Sequence, residues 1–250
     1  MKGTLMPAPI LLITGSSRGI GAATARLAAR RGFDVAVNYL KDRKSADAVV
    51  ADIAAAGRRA IAVQADMARE DDIVRMFAEV DAGLGRLTHL VYNTGITGPM
   101  SRIEALPSEA AREVVAVNII GAFLSARAAI PRISTKHGGR GGAMVFLSSA
   151  MATLGGAGEY VMYAVSKGAI ESMTVGLARE LAGEGIRVNA VAPGPIATDI
   201  HPPGRLERII QAVPLARAGK MEEVAEAVVF LLSDASSYTS GAVLRVAGGR

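Results

Sequence analysis

Short apolar runs alternate with amphipathic stretches along the whole chain, and that alternation leaves few folds open. The runs "ILLIT" (10–14), "DVAVNY" (34–39), "RAIAVQA" (59–65), "HLVYN" (89–93), "AMVFLSS" (143–149), "RVNAVAP" (187–193) and "AVLRV" (242–246) read as strands. Such near-continuous apolar runs suit a sheet covered on both faces. Helical patterns at 19–31, 43–56 and 71–82 lie between the first strands and end at Gly32, Gly57 and Gly83. Longer helical patterns cover 108–133 and 160–182. The alternation predicts a single-domain, doubly wound parallel α/β sheet of about seven strands with right-handed crossovers.

The 250 residues contain no proline/serine-rich linker, no break in composition and no internal repeat, so one domain is expected over 9–250 after a tail at 1–8. The opening "MKGTLMPAPILLITG" has the lysine and apolar run of a signal peptide. Its run is short, carries two prolines and leads into a glycine turn, which favours a tail followed by a buried strand. "KHGGRGG" (136–142) reads as a mobile connection into the fifth strand. No stretch is expected to reach the roughly 18–20 apolar residues of a membrane span. The absence of cysteine excludes disulfides and thiolate metal sites and fits a reducing compartment, so a cytoplasmic protein is expected. His89, His137 and His201 lack metal-ligand spacing, and no metal is expected. The net charge of +5 comes from scattered Lys and Arg with only 4% aromatics, a solvated basic surface rather than a nucleic-acid stripe. Such a surface still attracts anionic cofactors and substrates.

"TGSSRGIG" (14–21) follows the first strand and opens the first helix. There Gly15 permits the sharp strand exit, Gly19 lets the backbone approach a pyrophosphate, and Gly21 lets helix and sheet pack closely. The helix N-terminus offers unpaired N–H groups to phosphates, and Ser17 and Ile20 lie in the same turn. A glycine trio alone is equally a plain turn; its position between strand and helix points to a nucleotide. The second strand ends in Asn38 and Tyr39 instead of a carboxylate, Lys41 and Arg43 follow, and Arg18 sits inside the turn. A carboxylate would repel a 2′-phosphate and arginine would pair with it, so NADP is expected over NAD. The plainer reading is exposed cations without a ligand. Asp66 and Met67 follow the third strand, with Asp66 placed to accept from an adenine amino group.

On the helical pattern 160–182, Tyr163 and Lys167 stand one turn apart on one face. A phenol near pKa 10 is a poor base, and a nearby ammonium or oxidised nicotinamide favours its ionised form. Such a phenol can exchange the proton that accompanies a hydride. Alone, this spacing is more often helix surface. Ser149 ends the fifth strand, at the carboxyl edge where open sheets put their ligands. Asn118 is an amide in an apolar helix, where it should hold a water or a backbone group. Tyr160 has Ala164 where a lysine would be needed and reads as packing or pocket wall.

The order of "TGSSRGIG", "YNTG" (92–95), Asn118, Ser149, "YAVSK" (163–167), "PGPIATDI" (193–200) and "VAGG" (246–249) resembles the short-chain dehydrogenases/reductases, from about residue 9 to 249. The resemblance implies Tyr163 as acid/base, Lys167 lowering its pKa and bonding the nicotinamide ribose, Ser149 orienting a carbonyl, and Asn118 holding a water relay behind Lys167. It implies that Asn93 and Gly95 line the cofactor site. Pro193 and Gly194 lead to Ile196 and Thr198, which would meet the carboxamide and pyrophosphate. It also implies hydride transfer from the cofactor's B face and a homotetramer, or a homodimer, built on two-fold axes. Three departures stand out. Thr94 replaces a usual alanine, Ala247 replaces a usual acidic residue, and Ser149 lies 14 residues before Tyr163, one more than in many members. Ser148 therefore stays open as the catalytic serine.

The expected function is an NADP-dependent carbonyl reductase or alcohol dehydrogenase for a β-ketoacyl thioester, a sugar, or a small ketone or diol. An NADP-binding regulator without turnover is the alternative, and it would not need Tyr163, Lys167, Ser149 and Asn118 together. An epimerase or dehydratase would want a longer chain with a substrate domain. The covering segment 196–217 is short, with a stiff Pro202–Pro203 turn. Its Arg205 and Arg208 could meet an anionic substrate, helix-surface charge being the plainer reading.

Overall fold

The computed structural model describes residues 7–199 and 202–250. Residues 1–6 of the expected tail, and Ile200 and His201, lie outside the described residues. In chain order the main elements are β1 (Ile10–Ile13), α1 (Gly19–Arg30), β2 (Asp34–Tyr39), α2 (Arg43–Ala55), β3 (Ala60–Gln64), α3 (Glu70–Gly83) and β4 (His89–Tyr92). There follow α4 (Ser108–Val115), a π-helical turn (Ala116–Ile120), α5 (Gly121–Ile133), β5 (Gly142–Leu147), α6 (Met151–Leu154) and α7 (Val161–Leu181). The chain closes with β6 (Ile186–Pro193), α8 (Arg205–Ile210), α9 (Met221–Leu232) and β7 (Val243–Val246). The expected strands all form close to their expected bounds.

They make one 7-stranded sheet in the order β3-β2-β1-β4-β5-β6-β7, every pair parallel. The apolar runs are explained by their two covered faces. Leu11, Ile13, Val35 and Val37 pack with α1, α2 and α9, while Leu12, Ala36, Leu90 and Phe146 pack with α3, α5 and α7. Full burial of each such side chain stabilises the fold by roughly 1.5–3 kcal/mol. Because β1 pairs with both β2 and β4, the strand order reverses there and a crevice opens beyond their carboxyl ends.

Four expectations are corrected. The third helix runs through Gly83 and ends at Leu84, followed by Gly85 at φ +106°. The pattern 108–133 does form one continuous helical rod, but a π turn interrupts it at 116–120. That 26-residue rod, with a mean hydropathy of 1.7, is long and apolar enough to cross a membrane by length and composition. Glu109, Arg112, Glu113, Arg127 and Arg132 punctuate it, and it packs against α3, α7 and the sheet. The glycine-rich 136–142 is not a loose connection, since the Arg86 guanidinium donates to the carbonyls of Pro131, Arg132, His137 and Gly138.

Candidate active site

The exits of β1, β4, β5 and β6 converge on a cavity of about 400 Å³, closed at its rim by α8. At the β1 exit, Gly15 and Gly19 both take φ +60°, a conformation that favours glycine. The amide of Asn93, from the β4 exit, donates to the carbonyls of Thr14 (3.0 Å) and Gly15 (2.9 Å) and ties the two exits together. Arg18, the residue before helix α1, gives it no side-chain cap, so the first N–H groups of the helix remain available toward the cavity.

Of the expected cofactor residues, Gly15, Ser17, Arg18, Gly19, Ile20, Tyr39, Asn93, Gly95, Pro193, Gly194, Ile196 and Thr198 line the cavity. Gly21, Asn38, Asp66 and Met67 do not. Gly21 lies beneath the turn, where a Cβ would stand 2.7 Å from both the Asn93 amide nitrogen and the Gly15 carbonyl oxygen. Asn38 is buried and its side chain serves the scaffold, its Oδ1 accepting from Gly15 N at 2.9 Å while its Nδ2 donates to Val63 and Ala65 carbonyls. Asp66 Oδ1 accepts from Ala68 N at 2.8 Å, and Met67 is buried. The basic residues also divide. Arg43 pairs with Asp47 (2.8 Å) and lies 5.9 Å from the Tyr39 ring centroid, whereas exposed Arg18 borders the cavity.

Ser149, Tyr163 and Lys167 meet at the opposite end of the cavity. Lys167 is 3% exposed, its Nζ donating to Leu147 O (2.6 Å) and lying 5.7 Å from the Tyr163 ring centroid. Gly95 makes room for it, since a Cβ there would be 3.1 Å from Nζ. Burial lowers the Lys167 pKa to about 8. The half-buried Tyr163 differs from expectation. Burial raises its phenol pKa, while a hydrogen bond with Ser149 and the Arg205 charge pull it back down. The lowering expected from the Lys167 ammonium is not among the effects on this phenol; desolvation of the phenolate is the largest, and the opposing charge is that of Arg205.

The two serines point to different partners. Ser148 is buried, and its hydroxyl engages Glu171 (2.8 Å) and the Lys167 carbonyl (3.2 Å) on α7. The Ser149 hydroxyl accepts from Met151 N at 3.2 Å and reaches Tyr163. Asn118, in the π turn, holds a backbone group: its Oδ1 accepts from Ile96 N and its Nδ2 donates to Ile96 O and Ser166 Oγ, each at 2.9 Å. It does not itself line the cavity; it braces the loop after Gly95.

Tyr160 forms a wall, under the Arg205 guanidinium at 4.9 Å from its ring centroid. Arg205 and Arg208 both pair with Glu159, which anchors α8 over the rim. Sequence reasoning missed Glu159, although a lone carboxylate beside Tyr160 after a run of glycines was a signal. It also missed the cavity walls Thr97, Met151, Leu154 and Ile209, which no local pattern marks. Among the described residues no His, Cys, Asp and Glu cluster could hold a metal ion.

The positive-φ turn, the uncapped α1 and Arg18 fit a dinucleotide phosphate, and Thr94 adds a buried hydroxyl without a protein partner beside them. A dinucleotide crevice that ends on a serine, a tyrosine and a lysine defines a nicotinamide-dependent oxidoreductase acting on alcohol and carbonyl groups. Comparison with known proteins agrees. A family model described as enoyl-(acyl carrier protein) reductase matches residues 15–250. The chain is 46% identical over 245 residues to the uncharacterized oxidoreductase YgfF of Escherichia coli K12, covering 96% of this chain and 99% of that protein. It is 38% identical to a 3-oxoacyl-[acyl-carrier-protein] reductase of Synechocystis PCC 6803, covering 98% of each. A short-chain dehydrogenase of Burkholderia cenocepacia in complex with NADP superposes with a TM-score of 0.92 at 35% identity, over 97% of this chain and 98% of that one. The chain belongs to the short-chain dehydrogenase/reductase family.

Proposed function

We propose that this protein is an NADP-dependent carbonyl reductase that interconverts a ketone and its alcohol, with Tyr163 as general acid/base. One observation carries the reading: the Ser149 hydroxyl and the Tyr163 phenol share a cavity with the glycine turn, and Lys167 lies beneath them. Bound in that cavity, the reduced nicotinamide supplies a hydride to the carbonyl carbon. Ser149 donates to the carbonyl oxygen and Tyr163 delivers the proton to it. Lys167 bonds the nicotinamide ribose and holds positive charge near the phenol. Asn118 fixes the loop after Gly95 and supports a water relay behind Lys167. Arg18 pairs with the 2′-phosphate, and Tyr39 flanks it. Asp66 keeps one carboxylate oxygen for the adenine amino group, while Ile196 and Thr198 serve the carboxamide and pyrophosphate.

The substrate end supports a ketone with an apolar substituent, because Met151, Leu154, Tyr160 and Ile209 line the cavity together with Ser149. A 3-oxoacyl thioester comes first, as the name of the Synechocystis relative suggests; a sugar or a small ketone or diol follows. We place the working protein in the cytoplasm as a homotetramer.

Oxidation of NADPH and NADH, followed at 3-oxoacyl thioesters and a panel of small ketones, tests the reading. NADPH should be preferred at least about tenfold, a gap of one charged contact, and Arg18→Ala should remove it. Tyr163→Phe should bind NADPH normally and lose about a thousandfold in kcat. Turnover that survives in Tyr163→Phe would remove the assignment, and NADPH binding without turnover of any ketone would favour the regulator.

A further inference from the structure

Thr94 follows Asn93 at the exit of β4, and it brings a hydroxyl into a tight place. Thr94 Oγ1 is buried and without a hydrogen-bond partner, one of few such atoms among the described residues. A hydroxyl buried without a partner is a liability that natural proteins seldom keep unless something satisfies it. Its neighbour is the strand-exit glycine: a Cβ on Gly15 would stand 2.8 Å from Oγ1. The backbone N–H of Thr94 is already held by Thr14 Oγ1 at 3.1 Å, so the residue is fixed in position while its hydroxyl is not engaged. Thr94 itself lines the cavity, so a rotation about χ1 to another staggered position can carry the hydroxyl away from Gly15 to meet a ligand there.

The neighbours of Thr94 say which half of a dinucleotide it would meet. On one side Gly15 is bonded to Asn38 at the end of β2, near Arg18 and Tyr39. On the other, Gly95 leaves the room that Lys167 Nζ takes, since a Cβ there would stand 3.1 Å from it, and belongs to the reacting end. Thr94 lies on the Gly15 side of that divide. Resting on the reading that the cavity holds NADP, we propose that Thr94 is a cofactor-positioning residue whose hydroxyl bonds a ribose hydroxyl of the adenosine half. Its role is to complete a partnerless group of the protein and a polar group of the ligand in one contact.

Thr94→Val keeps the shape and removes the hydroxyl, and Thr94→Ser keeps the hydroxyl. Melting temperature without ligand, and dissociation constants for NADPH and for adenosine 2′,5′-bisphosphate by calorimetry, are measured for wild type and both variants. Thr94→Val should melt at or above wild type, because it removes an unsatisfied buried group. It should bind both ligands about tenfold more weakly, the worth of one hydrogen bond. Thr94→Ser should stay within about twofold of wild type, on the same scale. A Thr94→Val protein that melts higher yet binds NADPH as wild type does would reduce Thr94 to packing and overturn the proposal. Weaker NADPH binding with unchanged adenosine bisphosphate binding overturns it too, since the contact would then lie elsewhere. If wild type binds neither ligand, the NADP reading itself falls; if wild type binds both and only the variant comparison fails, this inference falls alone.

Discussion

Lys167 holds its charge at the expense of the fold. Burial lowers its pKa from 10.5 to about 8, so the folded chain gives up the proton near pH 8 while the unfolded chain keeps it to about 10.5. Between those values the unfolded state binds more protons, and stability must rise with pH across that window. Below it, the buried ammonium costs on the order of 3 kcal/mol, at 1.36 kcal/mol for each unit of displacement. The bond from the ammonium to Leu147 O returns about 1.5–3 kcal/mol of this. Lys167→Met, similar in length and uncharged, should therefore abolish turnover and yet raise the urea midpoint at pH 7. Its advantage over wild type should shrink toward pH 10, where both proteins are neutral at this site. A variant less stable than wild type at pH 7 would mean that the Leu147 contact outweighs the buried charge.

At the scale of elements, the π turn at 116–120 links the fold to the site. Tyr92 OH donates to the Val117 carbonyl, and Asn118 reaches from the same turn to Ile96 and Ser166. Asn118→Ala would leave Ile96 N and Ile96 O without their side-chain partners and should cost about 2–4 kcal/mol. The change should also free the loop after Gly95, seen as faster hydrogen exchange at the Ile96 amide and weaker NADPH binding. Unchanged exchange at Ile96 would show that the loop holds without Asn118. This turn also marks where reading the sequence stopped. The strands and the longer helices were legible because they write their period into neighbouring residues, and the Tyr163–Lys167 pair because it stands one helical turn apart. The π turn was not, because it is bound up with Tyr92 and Ile96, 25 and 22 residues away. The raised phenol pKa of Tyr163 was illegible for the same reason, since desolvation comes from walls contributed by several elements. The two serines after β5 look alike in sequence and both line the cavity; only the packing of α7 gives Ser148 its bond to Glu171 and sets Ser149 beside Tyr163.

For the whole molecule, two sets of the exposed large apolar side chains bear on assembly. Ile120 (47% exposed) and Phe123 (52%) near the start of α5, with Val165 (57%) and Val175 (36%) on α7, make one set. Phe230 (44%) on α9 and Leu244 (37%) on β7, the last strand of the sheet with an open edge, make the other. Large side chains gathered on elements in this way mark contact surfaces more often than stray exposure. A two-fold contact at either area alone gives a dimer, and two distinct two-fold contacts on one chain close into a tetramer. The chain should accordingly sediment at about four times its 25.8 kDa mass. Phe123→Glu should disable the first contact and Phe230→Glu the second, each leaving a dimer, and the two together should leave a monomer. Every residue assigned to the site here belongs to the same chain, so the dimers should still bind NADPH. Wild type sedimenting as a clean monomer at micromolar concentration would end this assembly, and a Phe230→Glu protein that stayed tetrameric would move the second contact off the α9 and β7 edge.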